Sequence, residues 1–175
     1  MLKTSLITLG LCTASAASAS AHVTLEKVQA SAGKAYKAIL RVGHGCDGKS
    51  TTKIRVQIPE GVLSIKPMPK PGWTIEKAKG KYAKAYDLYG KPVAEGVTEL
   101  VWSGGNLADD EFDEFIFHGV VASDIAAGTK VYFPVVQECT DDAVKRWIDI
   151  PDAGKTSQDY ETPAPFFEIV AQPRS

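Results

Sequence analysis

The sequence predicts an all-β fold, a single Greek-key β-sandwich, on three observations. Polar and apolar residues alternate in short β-branched runs; 15 Gly and 10 Pro punctuate the 175 residues between those runs; and no stretch sustains a helical period. Strands at short spacing with turn signals between them belong to sandwiches joined by Greek-key connections.

Six strands follow in chain order. Ala38–Val42 is β-branched and apolar at its centre. Strict alternation in Lys53–Ile58 places Ile54, Val56 and Ile58 on one face. Glu99–Trp102, Phe112–Val121, Lys130–Val136 and Val144–Ile150 complete the set. Breaks fall at Gly43 to Ser50, Pro59-Glu60-Gly61, Pro67 to Gly72, Gly90 to Gly96, Ser103 to Asp110, and Ala127-Gly128-Thr129. Two readings stay open for Glu76–Tyr89: its Lys and Ala content suits a helix, its Tyr82, Tyr86 and Tyr89 a hairpin. Four prolines in residues 151–175 predict a tail that wraps the sandwich and then frays. There is no internal repeat and no domain linker.

Charge excludes whole classes of partner. Twenty Lys plus Arg stand against 21 Asp plus Glu, a net charge of -1, whereas nucleic acid and anionic lipid require a basic face that releases counterions. The run Asp109, Asp110, Glu111, Asp113, Glu114 reads as a solvated face, since it lacks the glycine pattern of a calcium loop. No nucleophile motif and no phosphate-cradling glycine loop occurs.

The first 21 residues read as a cleaved export signal: Lys3, an uncharged stretch from Thr4 to Ala21, and the small-x-small ending Ala19-Ser20-Ala21. The strongly apolar part is too short to span a bilayer, and Leu11 before Cys12 argues against acylation there. No later apolar run reaches membrane length. The expected destination is the periplasm or the outside of the cell. Cleavage after Ala21 leaves 154 residues, residues 22–175, with two cysteines, Cys46 and Cys139. In an oxidising compartment the simplest reading of that pair is a structural disulfide, with a thiolate metal site as the rival.

Cleavage also makes His22 the first residue, so that one residue carries a free α-amine and an imidazole. Amine nitrogen and ring Nδ1 can close a six-membered chelate, and nitrogen donors in a tetragonal plane suit Cu(II). His44 is the second candidate ligand, in the loop His44-Gly45-Cys46-Asp47-Gly48, two residues before a cysteine that a bridge would freeze. Asp47 and Glu26 are candidate oxygen donors, while His118 sits on an alternating strand and reads as structural or exposed. Apart from Met1 the only methionine is Met68, which leaves Cu(I) and blue-copper chemistry poorly supplied with soft ligands. Trp147 lies close enough after Cys139 to be brought beside His44 and over a metal; plain packing is the bland alternative.

Several segments, in order, resemble the YcnI-like copper-binding domain family across nearly the whole mature chain. They are Ala21-His22-Val23-Thr24, the strand Thr51 to Pro59, Pro71-Gly72-Trp73, Phe112-Asp113-Glu114-Phe115, Phe133-Pro134-Val135-Val136-Gln137, and Arg146-Trp147. The resemblance implies an exported sandwich of immunoglobulin- or cupredoxin-like type (residues 22–175) that binds one Cu(II) through a histidine brace. In this chain His22 would supply amine and imidazole, and Trp147 would lie beside the metal. Its partners would be the copper ion and other periplasmic or membrane copper-handling proteins, with no nucleic acid and no membrane insertion.

One departure marks a cysteine-containing branch. Where mono-histidine members carry a glutamate after the strand matching Ala38–Val42, this chain reads Gly43-His44-Gly45-Cys46-Asp47. His44 is expected to replace that carboxylate, with Asp47 as the weaker candidate. Many relatives continue into a membrane helix, whereas this sequence ends at Ser175, and residence in solution is the expectation. Copper trafficking, acquisition or buffering without catalysis is the leading reading. The alternatives are an oxidative copper enzyme of the lytic polysaccharide monooxygenase kind, and a metal-free structural sandwich.

Overall fold

The computed structural model describes residues 22–171, so the expected export signal and the last four residues of the tail lie outside the described residues. Twelve strands form. They are β1 (Thr24–Leu25), β2 (Gln29–Ser31), β3 (Ala35–Val42), β4 (Thr51–Gln57), β5 (Val62–Pro67) and β6 (Thr74–Leu88). Next come β7 (Lys91–Leu107), β8 (Asp113–Val121), β9 (Lys130–Tyr132), β10 (Val135–Cys139), β11 (Val144–Trp147) and β12 (Phe166–Val170). One sheet runs β1-β3-β8-β5, a second β11-β10-β4-β7-β6, and a small third β2-β12-β9. The chain crosses between the two main sheets after β3, β4, β5 and β7, and from β8 reaches the second sheet only by way of β9 in the third, so strand neighbours such as β3 and β8 are distant in sequence.

The inward phase of each strand builds the core between the sheets. Leu40, Phe115 and Phe117 face it from the first sheet, Ile54, Val56, Leu100 and Trp102 from the second, all fully buried. Rings knit the layers together. Trp102 meets Phe115 edge-on at 5.6 Å, and Phe117, Phe133 and Phe167 continue the row into the third sheet at 5.8 and 5.6 Å. Trp73 adds its edge to Phe115 at 4.9 Å.

All six expected strands form, with shifted ends. The expected Lys130–Val136 strand is two, β9 and β10, split at Phe133-Pro134. Proline has no N–H to give the ladder there, and the chain changes sheets across it. Glu76–Tyr89 is strand, not helix: β6 pairs antiparallel with β7 from Thr74↔Ser103 to Leu88↔Lys91 around the turn Tyr89-Gly90. Pairing with a long neighbour outweighs the helical propensity of its Lys and Ala residues.

Four strands have no counterpart in the sequence reading: the short β1 and β2, and the longer β5 and β12. In β5, Ser64 takes a left-handed conformation (φ 54°) and the register shifts between Leu63 and Lys66, which breaks the alternation. The tail does not merely wrap: Phe166–Val170 enters the third sheet, parallel to β2 and antiparallel to β9. Its alternation is real, with Phe167 and Ile169 buried, but Pro163 and Pro165 just before it disguise the run.

Phe115 touches both Trp73 and Trp102 and is fully buried, so truncation there leaves a cavity between the sheets. Phe115→Ala is expected to lower unfolding free energy by about 3–5 kcal/mol, read from urea denaturation. A loss under about 1 kcal/mol would mean that the two sheets close over the gap.

Candidate metal centre

One end of the sandwich collects the residues singled out by sequence. There β1 begins just after His22 and pairs with the last residues of β3, Thr24↔Arg41. The loop from Gly43 to Ser50 leaves the same end of β3 and returns as β4, and the turn between β10 and β11 lies beside it, with Thr140 N–H donating to the Ser50 carbonyl.

The imidazole of His22 donates from Nε2 to the Glu161 carbonyl at 3.1 Å. A carbonyl can only accept, so Nε2 carries a proton, and in the neutral imidazole the lone pair is then on Nδ1. Nδ1 is the nitrogen that an α-amine chelate uses. The indole of Trp147 stands edge-on to this ring, centroids 5.5 Å apart and planes at 70°. His22 also forms one wall of a small cleft of about 150 Å³, lined otherwise by Leu25, Val28, Pro163 and Phe166 among others.

The expected bridge between Cys46 and Cys139 is present, with Cα atoms 6.1 Å apart across 93 residues of sequence. It is closed to solvent, the two cysteines being 1% and 6% exposed. Around it the loop is a miniature hairpin. Cys46 N–H donates to the Lys49 carbonyl and Lys49 N–H to that of Cys46, at 2.8 and 3.1 Å, about the two-residue turn Asp47-Gly48. Both turn residues have positive φ, 52° and 86°, the conformation that an Asp-Gly pair provides. Gly45 lies so close to the strand that a Cβ would sit 2.0 Å from the Lys49 carbonyl oxygen, so no larger residue fits.

His44 Nδ1 contacts the Gly45 carbonyl at 2.5 Å, which by the same reasoning leaves its lone pair on Nε2. A ring nitrogen held by a backbone carbonyl is the usual outer support of a metal-ligating histidine. Asp47, by contrast, is at the tip of the turn, 80% exposed, and pairs with Lys145 Nζ at 2.7 Å. Among the described residues no three His, Cys, Asp or Glu side chains gather closely enough to hold a metal ion. His22, His44 and Asp47 therefore do not form a three-side-chain cage, because Asp47 is committed to the turn and to Lys145. Glu26 and His118 are both exposed. Within the acidic run, Asp109 departs from a purely solvated face: its Oδ1 is buried without a hydrogen-bond partner among the described residues, against Gly45.

The sequence reading missed the residue that ties this end together. Gln137 is 1% exposed and shares the inward side of β10 with Val135 and Cys139. Its Nε2 donates to the His44 carbonyl at 2.8 Å and to Thr51 Oγ1 at 2.7 Å, while its Oε1 accepts from Trp147 Nε1 at 3.1 Å. A glutamine on the apolar phase of an alternating strand was the available signal.

Two ties hold the loop to the turn after β10, and each makes a prediction. Replacing both Cys46 and Cys139 by Ser should cost about 2–5 kcal/mol in urea unfolding, with the wild type falling to the same level once reduced. An undiminished midpoint would mean that packing alone fixes the loop. Lys49 bonds Asp141 at 2.5 Å, and its hydrogen bond and charge hold that carboxyl below its usual range. A depressed acid stabilises the fold above its unfolded pKa of about 3.9, and the contribution is lost as pH falls through the lower folded value. Asp141→Asn should therefore flatten the fall of stability below about pH 4, and superimposable acid titrations of variant and wild type would exclude the pair.

Comparison with known proteins agrees with this architecture. An uncharacterized protein from Nocardia farcinica, whose crystal structure is described as an immunoglobulin-like fold, superimposes with a TM-score of 0.64 at 22% identity, covering 86% of this chain and 99% of that one. A non-cellulosomal cohesin from Archaeoglobus fulgidus gives a TM-score of 0.42 at 11% identity over 86% of this chain and 91% of its own. A type I cohesin from a cohesin–dockerin complex of Clostridium thermocellum gives 0.43 at 12% identity, over 85% and 98%. None of the curated proteins matches. Residues 22–169, from the proposed chelating histidine to the last strand, match the domain of unknown function DUF1775, which YcnI-like proteins carry, and the chain belongs to that family.

Proposed function

We propose that the mature protein is a periplasmic or secreted Cu(II)-binding protein that acts in copper trafficking, acquisition or buffering, with copper as its cargo. The observation that carries this reading is the hydrogen bond from His22 Nε2 to the Glu161 carbonyl, which presents Nδ1 as the lone-pair nitrogen. Once cleavage after Ala21 frees the α-amine, amine and Nδ1 together form a bidentate clamp. His44, with its lone pair on Nε2, is the further nitrogen ligand in this reading. Asp47, tied to Lys145, is at best an outer oxygen donor.

Several features fit the proposal. The family match begins at His22 itself. A disulfide suits an oxidising compartment, and among the described residues no helix is long and apolar enough to cross a membrane. The indole edge of Trp147 beside His22 covers one side of the clamp, which favours holding an ion over opening a coordination position to a substrate. The unpartnered Asp109 oxygen adds negative charge at the loop, in favour of a cation.

The mature chain beginning at His22 is expected to bind one Cu(II), with an EPR spectrum of a tetragonal nitrogen site. His22→Ala, or a single residue added ahead of His22, should each weaken binding at least a hundredfold in competition titrations, because each removes one arm of the chelate. Unchanged affinity in both proteins would sink the reading.

A further inference from the structure

We propose that Gln137 is a positioning residue that couples the His44 loop to the Trp147 indole, so that the two sides of the metal end move as one body. The inference rests on the hydrogen-bonding capacity of one buried amide. Trp147 Nε1–H can only donate and the His44 carbonyl can only accept. A single side chain lying between them must therefore offer an acceptor on one side and a donor on the other. Gln137 does so, and its second N–H reaches Thr51 Oγ1, which places both amide hydrogens. The orientation of the amide is thus fixed by its partners.

Glutamate has the same shape, yet at this site it would turn a carboxylate oxygen toward the His44 carbonyl. Leucine would strand both the indole N–H and the carbonyl in a buried place. Asparagine is one methylene short of spanning the gap between β10 and the loop. Glutamine is the residue that satisfies this set of partners.

The amide also touches the bridge region. Thr51 Oγ1 lies 3.7 Å from Cys139 Sγ, and Cys46 Sγ lies 3.9 Å from the Gln137 carbonyl. Disulfide and amide therefore restrain the loop on two sides of His44: the bridge holds Cys46, two residues on, and Gln137 holds the carbonyl of His44 itself. On the far side of the amide, Trp147 meets the ring of His22. A route of direct contacts thus joins the two proposed ligands through Gln137, and its significance for metal affinity rests on the copper reading above.

The test uses the full mature chain with its disulfide intact, in three variants. In the metal-free protein, Gln137→Leu is expected to speed hydrogen exchange of the Trp147 indole N–H at least tenfold and to shift the His44 and Gly45 resonances. Gln137→Glu should shift His44 and Gly45 while the indole stays protected, since a carboxylate still accepts from it. Trp147→Phe keeps a ring beside His22, deletes the N–H, and should disturb the His44 loop from the opposite side, so the coupling is testable even if a Gln137 variant does not fold. Added Cu(II) should bind the folded Gln137 variants about tenfold more weakly, with altered EPR hyperfine splitting. Unchanged His44 and Gly45 resonances in a folded Gln137→Glu or Trp147→Phe protein overturn the coupling. A wild type that binds no Cu(II) removes the proposed function instead, and the metal-free spectra still decide the role of Gln137.

Discussion

The end of the sandwich that carries His22 and His44 depends on satisfying buried polar groups where strands of two sheets run out. Within the loop of residues 43–50, Gly45 and Cys46 bring peptide groups into a region closed to water, and each unpaired group there costs about 1–3 kcal/mol. The chain meets this with the Cys46–Cys139 bridge, the two-residue turn at Asp47-Gly48, and the Gln137 amide. Their joint effect is to give the loop a single conformation. His44 owes its place to that restraint, since among the described residues its own ring bonds the neighbouring Gly45 carbonyl alone.

Much of the framework was legible because the strands that face the core alternate strictly. Ile54, Val56, Phe115 and Phe117 fall on the inward phase as the sequence orders them, and all four are fully buried. What stayed hidden was set by distant partners. β5 is interrupted by the left-handed Ser64, and β12 follows a proline-rich approach, so neither carries a clean local pattern. Residues 76–89 could not be resolved between helix and strand because their preference is decided by pairing with β7, which only the fold provides.

At the site, legibility followed chemistry. Two cysteines left after an expected export signal could be paired by arithmetic, and the proximity of Trp147 to His22 followed from resemblance, not from spacing. Asp47 shows the limit of that approach. A carboxylate next to a turn glycine and three residues from a histidine looks like a ligand, but Asp is also a residue that tolerates positive φ, and here it forms the turn. Gln137 shows the converse: a polar residue on an apolar phase is an anomaly that demands a partner, and the partners lie on β4, β11 and the loop after β3.

The terminal chelate proposed above would place an unusual demand on a fold, because chain ends are ordinarily the least ordered part of a domain. Here the first described residues are tied on three sides. Val23 and Leu25 are buried, β1 pairs with β3, and His22 is held by the Glu161 carbonyl and packs on Trp147. Glu161 belongs to the tail segment, which is itself anchored where Asp149 N–H donates to Thr162 and Ala164 N–H to Asp149, just ahead of β12. The late entry of the tail into the third sheet therefore has a consequence at the first described residues. It supplies the backbone oxygen that accepts from His22 Nε2, and so sets which ring nitrogen carries the proton in the neutral imidazole.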